Sequence, residues 1–324
     1  MENLASDSVE LCAVGGASAQ GFRPSQQDRY SIVISEEMPS GISDTLAMFG
    51  VFDGHGSHFA AQHAKNNIPR FLLNSPEFRK GEYQRAMQEA IEKEDRTLLK
   101  GFRNGEDRFA NSGSTVAISL VNLTKGILIV GNLGDSHISM VERDPDTTEL
   151  QNVDRLTESH KPESPEEKRR IEDAGGKVHF QHNVWRIGAL NLSRAIGDLK
   201  YKRPLNNITT DPVTDAQRNT TEKPTEDRDD FVSIKMSFRQ VELQKDKQYI
   251  LALTTDGVTN IIDDKTLMHN VMHLFNLGKN AEEVSQSLVD DATTRPGSDN
   301  ATCIAVFLNG ISAPPFDRCH WNGC

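Results

Sequence analysis

The chain has 324 residues, 36% of them hydrophobic, which is enough for one large domain or two ordinary ones with a substantial core. Lys and Arg number 36 against 47 Asp and Glu, so the net charge is −11. A surface with this charge repels nucleic acid and anionic membrane, and we expect neither as a partner. A phosphate-bearing substrate would need concentrated local positive charge, and bound metal ions are one source of it.

The sequence predicts a cytoplasmic or nuclear protein. Its start, MENLASDSVELCAV, lacks a basic segment followed by an apolar one, and no apolar run approaches the roughly 18 residues that span a bilayer. Glu2 stands where myristoylation requires glycine. The four cysteines are too few and too scattered for a disulfide framework, which favours a reducing compartment.

In the first half of the chain, apolar runs bounded by Gly, Asp and Asn predict strands, and apolar residues at helical spacing predict helices. In chain order, these are a strand over 46–52, a helix from about Ser57 to Leu73, a helix through Met87, Ile91, Leu98 and Phe102, and strands over 115–121 and 126–130. Pro69 lies inside the first of these helices, and we expect it to kink or end that helix.

In the second half, Ser164 is a predicted N-cap, with Pro165 at the first helical position and Glu167 at the third. A polar stretch over 206–230 reads as a surface excursion. Further elements are then predicted in order: a strand over 250–254, a helix over 281–290, a strand over 302–308 and a tail from about 309. Strands come in clusters without regular alternation with helices, which predicts an α+β fold with largely antiparallel sheets.

Three aspartates flank predicted strands. Asp53 and Asp256 follow the strands over 46–52 and 250–254, each with glycine next, and Asp299-Asn300 precedes the strand over 302–308. Strand ends lie side by side in a packed sheet, so these acids can converge, and hard oxygen ligands favour Mg²⁺ or Mn²⁺. Glycine lets the backbone approach closely, so the Gly54 carbonyl is a further candidate ligand. Asp-Gly is also an ordinary turn, and the spacing by itself leaves both readings open.

The chain resembles the metal-dependent protein serine/threonine phosphatases of type 2C over roughly residues 21–308. The motifs that carry the resemblance occur in the family's order: Gly21-Phe22-Arg23 with Gln27-Asp28, VFDGHG at 51–56, SGST at 112–115, GNLGDS at 131–136, HKP at 160–162, EDAGG at 172–176, SRAIGD at 193–198, TTDG at 254–257 and DNAT at 299–302. The resemblance implies a catalytic domain over 1–310 and a tail over 311–324. It implies a central sandwich of two antiparallel β-sheets flanked by α-helices on both sides, a four-layer αββα fold.

The resemblance also implies a two-metal centre. Asp53 should bridge two Mg²⁺ or Mn²⁺ ions, with the Gly54 carbonyl on one and Asp256 and Asp299 on the other, while Asp28 holds a ligating water. Two such ions lower the pKa of a shared water and present it for direct attack on phosphorus.

Two further residues match catalytic positions of the family. Arg23 should grip the phosphate, because its planar guanidinium can engage two oxygens at once. His55 should act as general acid for the leaving alkoxide, so the catalytic set is Arg23, His55 and Asp53. Asp135 and Asp198 are predicted to be buried hydrogen-bond anchors rather than chemical groups.

The sequence also departs from the family pattern. Gln27 stands where many members have Glu, His137 replaces a common arginine, and Ser159 falls where TxDHKP has an aspartate linked to a third metal. We therefore expect two ions and doubt a third. These departures leave open an alternative, a catalytically weak or inactive pseudophosphatase that serves as a binding module. For the enzyme we expect phosphoprotein substrates and a monomer.

Overall fold

The computed structural model describes residues 8–39, 41–143, 150–203, 205 and 230–316. Its strands are β1 (Val9–Ala19), β2 (Arg29–Val33), β3 (Leu46–Phe52), β4 (Gly54–His55), β5 (Gly113–Ser114), β6 (Val116–Asn122), β7 (Ile127–Leu133), β8 (His137–Arg143), β9 (Leu150–Arg155), β10 (Val178–Gln181), β11 (Val184–Ile187), β12 (Ile196–Gly197), β13 (Ser237–Glu242), β14 (Gln248–Thr254) and β15 (Ala301–Gly310). Its helices are α1 (Phe59–Leu73), α2 (Pro76–Arg79), α3 (Tyr83–Arg103), α4 (Pro165–Asp173), α5 (Asp256–Thr259), α6 (Asp264–Asn276) and α7 (Ala281–Thr293).

Two five-stranded antiparallel sheets form the centre of the fold. The first sheet has the order β1-β15-β14-β8-β9 and the second has the order β13-β7-β6-β3-β2. Side chains from the two facing surfaces make one apolar cluster, with Phe49 and Val51 from the second sheet and Leu251 and Val306 from the first. Alternate residues of each strand therefore point into the space between the sheets.

Helices cover the outer face of each sheet. On the second sheet, β3 and β6 pack against α1 and α3, and on the first sheet β14 and β15 pack against α6 and α7. Because both faces of each sheet are covered, β3 is buried at all seven positions, which explains why LAMFGVF is a continuous apolar run rather than an alternating one. The predicted four-layer αββα fold is confirmed.

Several predicted elements need correction at their ends. The strand over 46–52 is confirmed, and the other predicted strands are shifted or extended by one to three residues. Helix α1 continues through Pro69 to Leu73, so the proline does not end it. Burial of the apolar face of α1, including Ala64, Ile68 and Leu72, outweighs a proline penalty of roughly 3 kcal/mol.

Helix α4 begins at Pro165 as predicted, with Ser164 at the N-cap, but the Ser164 hydroxyl makes no capping hydrogen bond. The start of the predicted tail packs on the fold, because the Phe316 ring contacts Phe275 and Phe307. The predicted excursion over 206–229 and the tail over 317–324 lie outside the described residues. Within the described ranges, no helix has the length and apolarity needed to cross a bilayer.

Candidate active site

A cavity of about 540 Å³ collects most of the predicted site residues. Its lining includes Arg23, Asp53, Gly54, His55, Asp256 and Asp299. The topology explains the convergence, because β14 and β15 pair antiparallel with Thr254 opposite Cys303. The residues that follow β14 and precede β15 therefore lie at the same end of the first sheet.

The contact between these two loops depends on a glycine. A Cβ atom on Gly257 would lie 1.9 Å from the Asn300 carbonyl oxygen, so any other residue would push the loops apart. Glycine is therefore required after Asp256 by close packing, and not only by the turn. It keeps Asp256 close to the Asp299-Asn300 pair.

Thr115 fixes the backbone of Asp53. The Asp53 N–H donates to the Thr115 hydroxyl oxygen at 3.0 Å, and the Thr115 N–H donates to the Asp53 carbonyl at 2.9 Å. The Thr115 hydroxyl also lies 2.6 Å from the Ser136 hydroxyl. These bonds explain why the SGST and GNLGDS motifs accompany the aspartate.

The carboxyl groups of the cavity repel one another. Burial raises the pKa of Asp53 well above its ordinary value, and the charges of Asp28 and Asp256 raise it further. Burial, then the charges of Asp135 and Asp299, raises the pKa of Asp256 to about 6. Lys161 and Asp53 act in the other direction and lower the pKa of Asp256. A divalent cation relieves this kind of repulsion.

Asp28 sits behind the cavity rather than in its lining. Its side chain is 2% exposed, and its Oδ2 accepts hydrogen bonds from the hydroxyls of Thr255 at 2.8 Å and Thr302 at 2.9 Å. Burial raises the pKa of Asp28 to about 7, although the two threonine hydroxyls pull it down. Asp28 thus adds negative charge beside Asp53 from a position fixed by the loops after β14 and at the start of β15.

Asp299 is bound to Arg23 in this conformation, with 2.6 Å between the Arg23 Nη2 and the Asp299 Oδ2. Across the described residues, no three His, Cys, Asp or Glu side chains already form a complete metal-ligand cluster. Carboxylate oxygens and the Gly54 carbonyl are nevertheless the donors that Mg²⁺ and Mn²⁺ prefer. The donor set therefore fits such ions in its chemistry, and Asp299 would have to leave Arg23 to complete it.

Asp135 also lines the cavity. The sequence analysis predicted it to be a buried hydrogen-bond anchor and did not place it in the site. It is 4% exposed and accepts a short hydrogen bond from the Lys161 ammonium. Burial opposes the charge on Lys161, but Asp135 outweighs it and the pKa of Lys161 is raised. Ser159 is not among the lining residues. Asp135 follows β7 by two residues, so the strand-end pattern that identified Asp53 could have found it.

His55 is held by Asp198 through a small third sheet, β12-β5-β4. Gly113 of β5 pairs with both His55 and Gly197, and Asp198 comes next in a left-handed conformation with φ 49°. The His55 Nε2 lies 2.6 Å from the Asp198 Oδ2. A Cβ on Gly113 would lie 2.2 Å from that same oxygen, so glycine is required there.

This pairing sets the charge of His55. Burial lowers the pKa of the imidazole, but the buried Asp198 carboxylate outweighs it, and the pKa of His55 is raised. Asp198 is a buried anchor as predicted, at 3% exposure. The structure adds that the group it anchors is the candidate general acid.

Asn300 fixes the loop that carries Arg23. Its side-chain NH₂ donates to the carbonyls of Gln20 at 2.7 Å and Ser25 at 3.0 Å, and its oxygen accepts from the Gln27 N–H at 2.8 Å. The sequence analysis assigned a role only to its neighbour Asp299. The signal that could have identified Asn300 is its position directly after that aspartate.

With this geometry in place, the chain can be assigned to a class. The family model described as protein phosphatase 2C matches residues 12–301. The chain therefore belongs to the protein phosphatase 2C family, a family of serine/threonine phosphatases.

Individual relatives agree with this assignment. Protein phosphatase 2C 1 of Paramecium tetraurelia is 29% identical over 307 residues, covering 89% of this chain and 90% of the relative. Protein phosphatase 2C homolog 3 of Schizosaccharomyces pombe is 28% identical over 308 residues, but the chain spans only 66% of that protein's length. In fold, the chain is similar to the crystal structure of serine-threonine phosphatase 2C from Toxoplasma gondii, with a TM-score of 0.72, 24% identity and coverage of 94% of this chain and 97% of that one.

Proposed function

We propose that this chain is a metal-dependent protein serine/threonine phosphatase that hydrolyses phosphoserine and phosphothreonine directly, without a phosphoenzyme. The supporting observation is the convergence of Asp53, Asp256 and Asp299 on the cavity that also contains Arg23 and His55. Asp53, the Gly54 carbonyl, Asp256 and Asp299 would hold two Mg²⁺ or Mn²⁺ ions. Asp28 supports them from behind.

When bound, the two ions would supply an acidified water and offset the charge of the phosphoryl group. The protein's own residues orient and protonate the substrate. The Arg23 guanidinium, once released by Asp299, can donate two parallel hydrogen bonds to phosphoryl oxygens. His55 keeps one N–H on Asp198 through Nε2, and its raised pKa favours a second proton on Nδ1, which can be donated to the leaving alkoxide.

The decisive experiment is hydrolysis of a simple aryl phosphate with added Mn²⁺. We expect turnover by the wild type and a loss of about 10²- to 10³-fold in Asp53→Asn, because removal of one group that supports transition-state stabilisation typically costs that much. The exposed Asp291→Asn on α7 is the matched control and should retain wild-type turnover. Equal inactivity of the wild type and Asp53→Asn would overturn the catalytic proposal.

That outcome would favour the alternative, a pseudophosphatase that binds partners without hydrolysis. The observation on its side is the Arg23–Asp299 ion pair, which occupies both the candidate phosphate-binding residue and a candidate metal ligand. Gln27, which lines the cavity, also contributes no charge to it. Calorimetric titration with Mn²⁺ would separate an inactive protein that still binds ions from one that does not.

We further infer that the substrates are phosphoproteins and that the protein acts as a monomer in the cytoplasm or nucleus, without a nucleic-acid or membrane partner. The net charge of −11 supports the absence of a nucleic-acid or anionic-membrane partner. We assign catalysis to residues 1–310 and treat 311–324 as a C-terminal tail. A third metal ion is not part of the proposal.

A further inference from the structure

The hairpin formed by β10 and β11 borders the active-site cavity and has two different faces. His179 pairs with Arg186 and Phe180 pairs with Trp185, so each pair shares a face because opposite residues of an antiparallel ladder point the same way. Phe180 and Trp185 are 58% and 36% exposed, and their rings lie 5.4 Å apart. The face that carries Arg186 is the one that contributes to the cavity.

Arg186 is a half-buried arginine of the cavity lining, and no Asp or Glu among the described residues forms an ion pair with it. Its Nη1 donates to the Ala189 carbonyl, which fixes the direction of the side chain, and no second acceptor for the guanidinium occurs in the described part of the chain. Arg23, in the same cavity, is paired with Asp299. Among the described residues the two arginines therefore differ: Arg23 is engaged by the candidate metal centre, whereas Arg186 has no acidic partner.

The segment around Arg186 is depleted in negative charge. From Lys177 to Gly197 the chain contains no Asp or Glu, although the whole protein has a net charge of −11. The same segment includes the basic or titratable residues Lys177, His179, His182 and Arg186, while its Arg194 is already paired with Glu167. This segment is complementary to an acidic polypeptide and leads directly into the cavity.

We propose that Arg186 is a specificity-determining residue that binds an Asp or Glu side chain close to the phosphorylated residue of the substrate. This inference rests on the proposed phosphatase function. The phosphoryl group belongs to the part of the cavity lined by the carboxylates and Arg23, while Arg186 lies on the hairpin. A guanidinium fits a carboxylate through two parallel hydrogen bonds, which gives geometric selectivity as well as attraction.

The test compares two phosphothreonine peptides that differ only by Glu or Gln at one position beside the phosphothreonine, scanned over the two residues on each side. At the best position, we expect kcat/KM to favour the Glu peptide by roughly fivefold, which is typical of a charge-assisted pair that remains partly solvated. Arg186→Gln should abolish the ratio, Arg186→Lys should restore part of it, and Arg186→Glu should favour a Lys-bearing peptide. Lys177→Gln removes one charge from the same segment outside the cavity and should keep the wild-type ratio.

The same peptide pairs, labelled with a fluorophore, give a ratio of dissociation constants by anisotropy, so the inference is tested even in a protein without turnover. Aryl phosphate hydrolysis decides the phosphatase proposal separately, because that substrate has no flanking residues. Equal constants for Glu and Gln peptides at all four positions would overturn the role of Arg186. So would an Arg186→Gln variant that weakens both peptides and the aryl phosphate alike, which would place Arg186 on the phosphoryl group or in the scaffold.

Discussion

The half-buried carboxyl groups of Asp53 and Asp256 in the cavity and the buried carboxyl group of Glu167 on α4 have environments with opposite effects on the pKa. Glu167 is 4% exposed, and burial pushes its pKa up, but hydrogen bonds and charge from Arg194 and Arg170 lower that pKa to about 2. Its Oε1 lies 2.5 Å from the Arg194 Nη2, and its Oε2 lies 3.1 Å from the Arg170 Nη2. Asp256 is half-buried, and burial together with the charges of Asp135 and Asp299 raises its pKa to about 6.

The difference separates a structural acid from a functional one. The charge of Glu167 is neutralised by the fold itself, so it links α4 to the strand segment that contains Arg194 and needs nothing further. Asp53 and Asp256 are held together against their mutual repulsion, which costs stability unless an external cation arrives. Perturbed carboxyl groups without internal compensation are typical of sites that bind ions or substrates.

The strongest test of the comparison is to remove the compensated charge of Glu167. Glu167→Gln should lower the free energy of unfolding by about 3 kcal/mol at pH 7, because two half-buried guanidinium groups lose their partner. Glu172→Gln on the same helix is the matched control; its partner Lys168 is exposed and 3.9 Å away, so the change should stay below about 0.5 kcal/mol. Urea denaturation measures both. Equal effects would remove the contrast between the two regions.

In metal-free buffer, the uncompensated carboxylates should lower the stability of the protein, whereas the Glu167 carboxylate raises it. The folded-state pKa of Asp28, about 7, lies above its ordinary 3.8, so its contribution to stability is full at low pH and is lost as pH rises through 7. Between pH 5 and pH 8, wild type should lose about 2 to 3 kcal/mol relative to Asp28→Asn, which keeps an oxygen acceptor for the two threonine hydroxyls. Saturating Mn²⁺ should remove the difference. Parallel pH profiles of the two proteins without metal would contradict a repulsive cluster.

The buried His160 extends the comparison to a group that the fold keeps neutral rather than charged. The His160 Nδ1 accepts from the Gly134 N–H at 3.0 Å and its Nε2 lies 2.6 Å from the Ser237 hydroxyl, while burial, then Arg194, lowers its pKa to about 4. The contribution of neutral His160 to the stability of the folded state is full above pH 6.5 and is lost as pH falls toward 4.

From pH 7 to pH 5 with saturating Mn²⁺, wild type should lose about 2 kcal/mol more stability than His160→Gln. Thermal or urea unfolding at the two pH values measures the difference. The exposed His269→Gln should follow the wild-type profile. Identical slopes for wild type and His160→Gln would show that His160 is not held neutral.

Much of the site could be read from local sequence because its residues are marked by the strands they follow or precede. Asp53, Asp256 and Asp299 each flank a strand that is buried along its whole length, and all three line the cavity. Strands with weaker patterns were missed. β2, for example, has five half-buried residues, and β13 has only half-buried and exposed positions at the edge of the second sheet, so neither carries a strong apolar signal.

The partners of the site residues could not be predicted in the same way. His55 and Asp198 are 143 positions apart, and only the short β12-β5-β4 sheet brings them to 2.6 Å. Asp135 follows β7 by two residues, which marks it as a strand-end aspartate, but its proximity to Asp256 is decided only by the fold. The Arg23–Asp299 ion pair likewise joins residues from opposite ends of the chain.

By itself, the sequence determined which strands carry aspartates at their ends, because apolar runs and Asp-Gly turns are local features. Through its ordered motifs it also determined the family and the two-metal chemistry to be tested. Only the tertiary structure decided which charges are compensated. Compensation depends on distance in space, which is why Glu167 is neutralised within the fold while burial and neighbouring carboxylates raise the pKa values of Asp53, Asp28 and Asp256. The strand-end aspartates become a candidate cation site only through that three-dimensional arrangement.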